Sequence, residues 1–500
     1  MRNADAALDD GRLSGDTLPR LLVLFFLLTI AASLECLKLS AFREPEIWGH
    51  LRSGMWILQN KAWPQSGLFS QSNDLPWRDF SWGSDVVAAV VFRVAGLRAL
   101  PALLVGFRFM LAIVTFLLAG GWRNFWPAAG LSAVAQYVLF AMSPTPACVS
   151  VILFGAELLV LLNVRESRDV KLWKGLPLLF LLWANLDLGF VYGIVLYVVF
   201  LAALLVEKYQ QSRDAQWFGK PGFPVPLRAA FGSGAACFLA SLLNPYTFHA
   251  YTSFWANEFG PVNHNLPGYT AMGFRQPRDY VLMLLGMSAY LALGLLRSRD
   301  LFPIGALAGC TALAFYEQRG NWLLALVSVA VIGRAVLQKR ADGAGEGLFD
   351  WNIRRAALLT AAFTSLFVVF IFRVPSKQDV LLGRVAETFP VRAADYLRGH
   401  PQPSPFFNVE RWGGFLAWYL PEYPVAIDSR RGLYPEEMEA SYFKVMNADI
   451  PLRDFPPMNQ ARTLVMDKAG IMGQALRGVS GFQVLYEDDI AIVYSHETKE

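Results

Sequence analysis

The sequence predicts a polytopic α-helical membrane protein with about 10 to 13 transmembrane helices and a C-terminal extracytoplasmic α/β domain. Hydrophobic residues make up 55% of the 500-residue chain and charged residues only 17%, whereas soluble domains carry about 25% charged residues. Apolar runs recur as far as about residue 373, and a more charged segment with alternating strand-like and helix-like patterns follows. We therefore expect a transmembrane domain over 1–373 and an α/β domain over 374–500.

The apolar runs are of the length that crosses a bilayer, which takes about 20 mostly apolar residues in a helix. No small-residue cleavage site follows the first run, at 21–34, so we expect an uncleaved first helix rather than a signal peptide. Further spans are predicted near 85–99, 101–120, 128–142, 147–164, 175–186, 188–206, 228–244, 280–296, 301–316, 320–336 and 356–373.

Basic residues set the expected orientation, because loops rich in Lys and Arg stay in the cytoplasm. The basic clusters lie near 165–174, 208–228, 297–299 and 334–355. Placing them inside leaves the turn 185–187, the loop 245–279, the turn 317–320 and the tail outside. The first outer loop, 40–84, also lies outside if one segment between 85 and 164 is interfacial or re-entrant, and 85–99 is the first candidate.

The tail has the pattern of a small layered α/β unit. We predict helices and strands in the order helix 390–399, strand Phe406–Val409, helix 412–419, strand Val425–Asp428, helix 435–447, strand Thr463–Met466, helix 469–477 and a hairpin of 482–487 with 490–494. A flexible cytoplasmic linker is expected at 341–347.

Charge and cysteine content argue against nucleic-acid binding and against a metal site built from cysteines. The net charge of +4 is small and scattered, which gives no support to nucleic-acid binding. The cysteines lie in or beside apolar runs without metal-type spacing, so we interpret them as small buried hydrophobes; they are Cys36, Cys148, Cys237 and Cys310.

Two carboxylates flank a proline directly after the first apolar run, in Glu44-Pro45-Glu46. Pro45 fixes its own φ and favours an extended Glu44, so both acids sit on a stiff corner. A carboxylate beside an apolar surface is a candidate general base, or a metal ligand. The alternative is a solvated acidic loop that begins a helix. On such a helix His50 shares a face with Glu46 and is its expected partner, while Arg52 does not share that face.

The segment Glu44 to Trp82 resembles the first extracytoplasmic loop of bacterial GT-C glycosyltransferases, which take a sugar from a polyprenyl-phosphate carrier. It matches that loop at Glu44, Pro45, Ile47, Trp48, His50, Leu51, Gly54, Ile57, Pro64, Phe69-Ser70, Pro76-Trp77 and Trp82. It departs at Glu46, where Asp is usual, and at Ser81, where Glu is frequent; Asp79 lies close enough to substitute.

Three later motifs extend the resemblance over most of the chain. The turn Trp183 to Phe190 resembles the family's Trp-Ala-Asn-Leu-His-Gly-Gly-Phe turn, with Asp187 in place of His. The outer loop 245–279 follows a matching Asn-Pro-Tyr start. The tail matches at Asn408, Trp412-Gly413-Gly414, Asp428, Arg430 and Leu433-Tyr434. In layout the chain is similar to protein mannosyltransferases and aminoarabinose transferases.

The resemblance implies an inverting membrane glycosyltransferase of the bacterial inner membrane. It would move a hexose or pentose from a polyprenyl-phosphate donor to an extracytoplasmic acceptor of unknown identity. The implied catalytic residues are Glu44, Glu46 and Asp187. The implied substrate-binding residues are Trp48, His50, Arg52, Asp79, Asn185, His249, His264, Arg319 and Asn321. A divalent cation, Mg or Mn, would be held by Glu44 and Glu46 if one is used.

Three of these residues also have a structural interpretation. Asp187 would cap the second half of a helical hairpin, Asp79 would be a turn acid, and Arg319 would be an interfacial anchor. Glu157, in the middle of a predicted span, would pair with an intramembrane arginine such as Arg108. In the loop 245–279, Glu258 could line the acceptor side together with the two histidines.

Two other functions fit the same layout. One is a non-catalytic GT-C-like membrane subunit that binds lipid or assists envelope polysaccharide assembly, and the other is a transporter. Convergence of Glu44 and Asp187 in one outward cavity would favour the enzyme.

Overall fold

A computed structural model describes residues 40–142, 144–166, 172–212, 226–260, 270–296, 298–341 and 377–497, together with Arg20, Val23, Leu24, Leu27 and Ser365. The predicted spans 21–34 and 356–373 and the predicted linker 341–347 lie almost entirely outside the described residues. His264 also lies outside them.

Each predicted apolar run between 85 and 336 forms a helix, which confirms the polytopic α-helical membrane fold. The helices are α1 (Glu46–Asn60), α2 (Trp82–Ala95), α3 (Ala99–Leu118), α4 (Phe125–Val138), α5 (Ala147–Glu166), α6 (Leu176–Trp183), α7 (Phe190–Ser212), α8 (Leu227–Ser241), α9 (His249–Phe259), α10 (Pro277–Leu295), α11 (Leu301–Tyr316) and α12 (Asn321–Ala341). By length and composition, five described segments can cross a membrane: Trp82–Leu118, Ala147–Glu166, Phe190–Gln210, Pro277–Leu295 and Gln318–Lys339.

Helix α12 is the centre of this bundle. It packs against α10, α11, α4, α3 and α5, and the most apolar part of its span is 72% buried. Large apolar side chains on the outer surfaces of other helices stay exposed, including Leu178, Val198 and Leu291. An apolar exterior around a packed helical core is the arrangement that a lipid bilayer requires.

Helices α2 and α3 are separated by a bend at Gly96, whose φ of +59° lies in the left-handed region that favours glycine. The 14 residues of α2 rise about 21 Å at 1.5 Å per residue. That is less than the hydrocarbon thickness of about 30 Å. An interfacial or re-entrant position for 85–99 stays a prediction.

Buried ion pairs tie helix ends together at one end of the bundle. The guanidinium of Arg165, at the end of α5, donates to Glu207 of α7 at 2.6 Å and to Asp300 at 3.1 Å. All three side chains are buried. Arg334, near the end of α12, pairs with Glu166. The described members of several basic clusters therefore lie at a shared end.

The tail contains helices around a four-stranded sheet. The helices are α13 (Gln378–Val385), α14 (Val391–Gly399), α15 (Glu410–Tyr419), α16 (Glu436–Met446), α17 (Pro456–Asn459) and α18 (Ile471–Ala475), and the strands are β1 (Phe406–Asn408), β2 (Thr463–Asp467), β3 (Phe482–Glu487) and β4 (Ala491–His496). The strand order is β1-β2-β4-β3. Strand β1 runs parallel to β2, and β4 lies antiparallel to both β2 and β3. The predicted closing hairpin is present.

The predicted strand Val425–Asp428 is wrong. Val425 makes only an isolated parallel bridge to Ser70 of the first loop. The buried amide of Asn408 accepts a hydrogen bond from the N–H of Ala426 at 2.9 Å and donates one to the carbonyl of Ile427 at 2.7 Å. Because a side chain satisfies these backbone groups, this segment needs no neighbouring strand.

The tail packs directly on the helix of the first loop, because α15 lies against α1. Trp48 is fully buried at this contact, with ring centroids 5.4 Å from Phe415 and 4.7 Å from Trp418. A Cβ on Gly414 would lie 2.9 Å from the backbone nitrogen of Gly49. The Trp-Gly-Gly motif therefore permits close helix packing that positions the first loop.

Candidate active site

A cavity of about 530 Å³ lies where the first loop, one set of helix ends and the tail meet. Residues from all three regions line it. Of the residues predicted from the sequence, those at the cavity are Glu44, Glu46, His50, Asp79, Asp187, Glu258, Arg319 and Asn321. The acids Glu44 and Asp187, which are far apart in sequence, therefore face one cavity.

Glu44 and Glu46 stand on either side of Pro45, which begins α1 with φ −65° and ψ −39°. Proline suits this position because its missing N–H would have no partner in the first helical turn. The carboxylate of Glu46 interacts electrostatically with His50, Arg319 and Arg431. Glu46 therefore lies between the imidazole of the first loop and two guanidinium groups from other regions.

His50 is held by Asp85 of α2, and the predicted pairing with Glu46 is wrong at the level of hydrogen bonds. Its Nδ1 lies 2.9 Å from Asp85 Oδ1. Burial lowers the pKa of His50, but the negative charges of Asp85, Asp79 and Glu46 outweigh it and raise the pKa to about 9. His50 is therefore an imidazolium near neutral pH, with its side chain 26% exposed at the cavity.

Close approach of α1 and α2 makes this contact possible. A Cβ on Gly54 would lie 2.0 Å from the carbonyl oxygen of Asp85, so only glycine fits there. Asp79 completes the cluster: its Oδ1 accepts from the N–H of Ser81 at 3.1 Å, as expected for a turn acid. Burial and the neighbouring charge of Asp85 raise the pKa of Asp79 well above its ordinary value.

Asp187 makes a capping contact of the kind that its structural interpretation predicts, and it also lines the cavity. Its Oδ2 accepts hydrogen bonds from the hydroxyl of Ser150 and, at 3.0 Å, from the N–H of Gly189. Ser150 in turn accepts from the indole N–H of Trp183 at 2.7 Å. These contacts fix the carboxylate at the edge of the cavity, and burial raises its pKa despite them.

A second acidic group faces the cavity from α9. The hydroxyl of Tyr192 donates to Glu258 at 2.6 Å, and Glu317 lies 3.5 Å from the same hydroxyl. Burial and the nearby charge of Glu258 raise the pKa of Glu317 to about 8. Glu317 therefore keeps its proton at neutral pH.

The cationic side of the cavity comes from two regions. Arg319 lies in the short 3₁₀ turn before α12, and Asn321 begins that helix. The buried side-chain amide oxygen Oδ1 of Asn321 has no hydrogen-bond partner among the described residues. The tail adds Ser429, Arg430 and Arg431. Arg430 binds Asp428 in a bidentate pair, with N–O distances of 2.7 and 3.0 Å.

Four predicted substrate-binding residues do not line the cavity. Trp48 lies in the core described above. The guanidinium of Arg52 packs 4.6 Å from the centre of the Phe69 ring. Asn185 joins helices, because it accepts from the indole of Trp82 at 3.2 Å and donates to the carbonyl of Leu243 at 3.0 Å. His249 is exposed at the start of α9.

The predicted pair of Glu157 and Arg108 is also wrong. Arg108 donates instead to the carbonyls of Leu139 and Met142, at 2.7 and 3.3 Å. Both carboxylate oxygens of Glu157 are buried without a hydrogen-bond partner among the described residues. The free carbonyls at the end of α4 attract the arginine to the cavity end of the bundle.

The described residues do not contain a ready metal centre. Within them, no group of three or more His, Cys, Asp or Glu side chains could hold a metal ion. Glu44 and Glu46 supply two carboxylates, the number that Mg²⁺ sites completed by waters and substrate phosphates use. A divalent cation at these residues stays a prediction.

Sequence reasoning missed Asp85 and Arg431. Asp85 is an acid in the first turn of an apolar helix, which is a signal for function in membrane proteins. Arg431 follows directly after the acid-x-Arg motif formed by Asp428 and Arg430, but its approach to the cavity depends on how the tail docks.

Comparisons with known proteins identify the fold. No protein-family model and no curated protein sequence matches the chain. Crystal structures of the oligosaccharyltransferase of Archaeoglobus fulgidus do match it in structure. The form tethered with an acceptor peptide containing the NVT sequon gives a TM-score of 0.52 at 12% identity, over 96% of this chain and 74% of that one.

Two further solved structures resemble the chain to a similar degree. The same archaeal oligosaccharyltransferase, AglB, in complex with an inhibitory peptide and a dolichol-phosphate gives a TM-score of 0.51 at 12% identity, over 90% of this chain and 69% of that one. ArnT of Cupriavidus metallidurans bound to undecaprenyl phosphate gives a TM-score of 0.49 at 14% identity, over 94% of this chain and 98% of that one. The archaeal likeness confirms the GT-C-like fold that the sequence motifs predicted.

Proposed function

We propose that this protein is a membrane glycosyltransferase that moves a sugar from a polyprenyl-phosphate donor to an extracytoplasmic acceptor. The observation that carries the proposal is the convergence of acids and arginines in one cavity: Glu44 and Glu46 from the first loop, Asp187 from a helical turn, and Arg319 beside α12. Scattered acids would instead have favoured a non-catalytic subunit.

The polarity of the bundle supports an extracytoplasmic cavity. Helices α5, α7 and α12 begin at the cavity, with Ser150, Tyr192 and Trp322. The same helices end among the basic residues, where Arg165 and Arg334 form their ion pairs. Because basic ends stay in the cytoplasm, the cavity and the docked tail belong on the other side, which in bacteria is the outer face of the inner membrane.

The residues supply the groups that sugar transfer requires. A bond forms between the acceptor oxygen and the anomeric carbon, and the bond from that carbon to the phosphate oxygen breaks. The departing electron pair stays on the phosphate, which Arg319 binds through a planar fork of N–H donors. The acceptor proton passes to Glu44, the general base. Asp187, fixed by Ser150 and Gly189, accepts hydrogen bonds from substrate hydroxyls.

The deciding experiment is sugar transfer from a panel of polyprenyl-phosphate donors by the purified full chain, comparing wild type with Glu44→Gln. Glutamine keeps the shape and the hydrogen-bonding reach but takes no proton, so we expect turnover to fall about 100- to 10,000-fold. The melting temperature of each detergent-solubilised protein is the control for folding.

A helix-start role for Glu44 predicts a different result. Loss of such a role would cost stability of about 1 kcal/mol and leave turnover near that of the wild type. That outcome would remove Glu44 as the base. Absence of transfer by the wild type with every donor, together with retained lipid-phosphate binding, would instead support the non-catalytic subunit.

A further inference from the structure

We propose that Arg431 of the tail and Arg319 of the bundle together hold the phosphate of the lipid carrier and stabilise the second negative charge that it gains as the sugar leaves. This inference rests on the proposed function and extends it to a residue of the tail. It makes docking of the tail a requirement for the reaction.

The residues next to Arg431 and the first loop fix its backbone. Arg430 is locked to Asp428 by the bidentate pair, and its guanidinium lies 4.9 Å from the ring centre of Trp77. The indole N–H of Trp77 donates to the carbonyl of Arg431 at 3.2 Å. The first loop therefore clamps the tail at the point where Arg431 enters the cavity.

The guanidinium groups of Arg431 and Arg319 are close enough to interact electrostatically. Both line the cavity, and each feels the negative charge of Glu46. Burial lowers the pKa of Arg431, Glu46 opposes this, and the positive charge of Arg319 lowers the pKa further. Arg319 and Arg431 repel each other and share the neighbouring carboxylate of Glu46. An anion of high charge would complement two such cations.

Further acids lie around these arginines. Glu410 and Glu439 lie beside Arg431 in a small adjoining pocket. Burial raises the pKa of Glu410 to about 7, and it raises that of Glu439 as well. Glu258 and Asp187 act electrostatically on Arg319.

The reaction itself increases the charge on the phosphate. A sugar-linked polyprenyl phosphate is a phosphodiester with one negative charge. Once the bond to the anomeric carbon breaks, the electron pair remains on the phosphate, and a phosphomonoester carries about −1.5 to −2 near pH 7. A second arginine therefore contributes more in the transition state than in the donor complex, which raises kcat.

The test measures kcat, KM for the sugar-linked donor, and Ki for polyprenyl phosphate as product inhibitor. The proteins are the full-length wild type, Arg431→Gln, Arg431→Lys and the control Arg453→Gln, whose arginine is 83% exposed on the tail. We expect Arg431→Gln to lower kcat about 10- to 100-fold and to raise Ki about tenfold more than KM. The lysine variant should be intermediate, and the control should match the wild type.

Separate results test the inference and the function beneath it. Wild-type kcat and Ki in both Arg431 variants, with an active wild type, would overturn the role of Arg431 alone. A wild type that neither binds polyprenyl phosphate nor transfers sugar would overturn the proposed function. A role of Arg431 in folding alone would lower the melting temperature but leave the ratio of Ki to KM unchanged.

Inorganic phosphate added in place of the lipid identifies the source of the phosphate. We expect it to inhibit only at concentrations far above those of polyprenyl phosphate, because it lacks the apolar chain. Equal inhibition by both would assign the site to free phosphate and overturn the lipid assignment.

Discussion

The cluster of His50, Asp85 and Asp79 makes the stability of the protein depend on pH in a way that Asp85→Asn should change. The pKa of His50 rises from its ordinary 6.5 to about 9 in the folded protein. At about 1.4 kcal/mol for each tenfold change in proton affinity, this corresponds to about 3 kcal/mol. Removing the Asp85 charge leaves burial as the main influence, and burial lowers the pKa of His50.

The direction of the pH effect follows from which state binds the proton more tightly. The folded state holds the His50 proton more tightly than the unfolded state, so the stabilisation is complete below pH 6.5 and is lost as the pH rises towards 9. Asp79 acts in the same direction, because its raised pKa means that deprotonation in the folded state also costs stability. The wild type should therefore lose stability through this window.

The assay is the melting temperature of the detergent-solubilised protein at half-unit steps between about pH 6 and pH 9.5. The wild type should melt progressively lower as the pH rises, whereas Asp85→Asn and His50→Gln should show much flatter curves. Asp454→Asn serves as the control, since this exposed acid pairs only with Arg453 at 3.8 Å. Buried acids such as Glu317 and Glu410 titrate in the same window, but all four proteins share them. Parallel curves for wild type and Asp85→Asn would refute the reasoning.

Three further results are expected. Arg319→Lys should weaken donor binding about tenfold although the charge is kept, because the planar fork is lost; binding equal to wild type in both Arg319→Lys and Arg319→Ala would make Arg319 an anchor. Gly413→Ala should destabilise the docked tail by at least about 1 kcal/mol, since its Cβ would lie 2.2 Å from the carbonyl oxygen of Ile427; a limited-proteolysis pattern identical to wild type would contradict this. Arg453→Cys should react with a membrane-impermeant thiol reagent added outside spheroplasts, because the tail is proposed to be extracytoplasmic; protection until lysis would reverse the topology. The described native cysteines are buried and give little background.

Glu258 lines the cavity together with the arginines Arg319 and Arg431. An acid opposite a cationic phosphate site is the arrangement that we expect in a transferase that takes sugar from a lipid phosphate.

The sequence by itself determined the membrane fold, the positions of the described apolar helices and the strands that form the sheet of the tail. These features depend on local properties: the length of an apolar run, the spacing of charges and the alternation of residues along a strand. Glu44, Glu46 and Asp187 could also be identified as candidate site residues from the sequence, because a charged residue beside an apolar run stands out within a short window.

Only the tertiary structure decided which of these residues meet. His50 is paired with Asp85, 35 residues away, rather than with the nearer Glu46, because Gly54 lets two helices approach closely. Asn408 supplies the hydrogen bonds that a neighbouring strand would have given to residues 425–428. Arg431 reaches the cavity that Arg319 also lines because the tail docks on the first loop. Such contacts depend on packing between distant segments, and local sequence patterns contain no information on which distant segments will pack together.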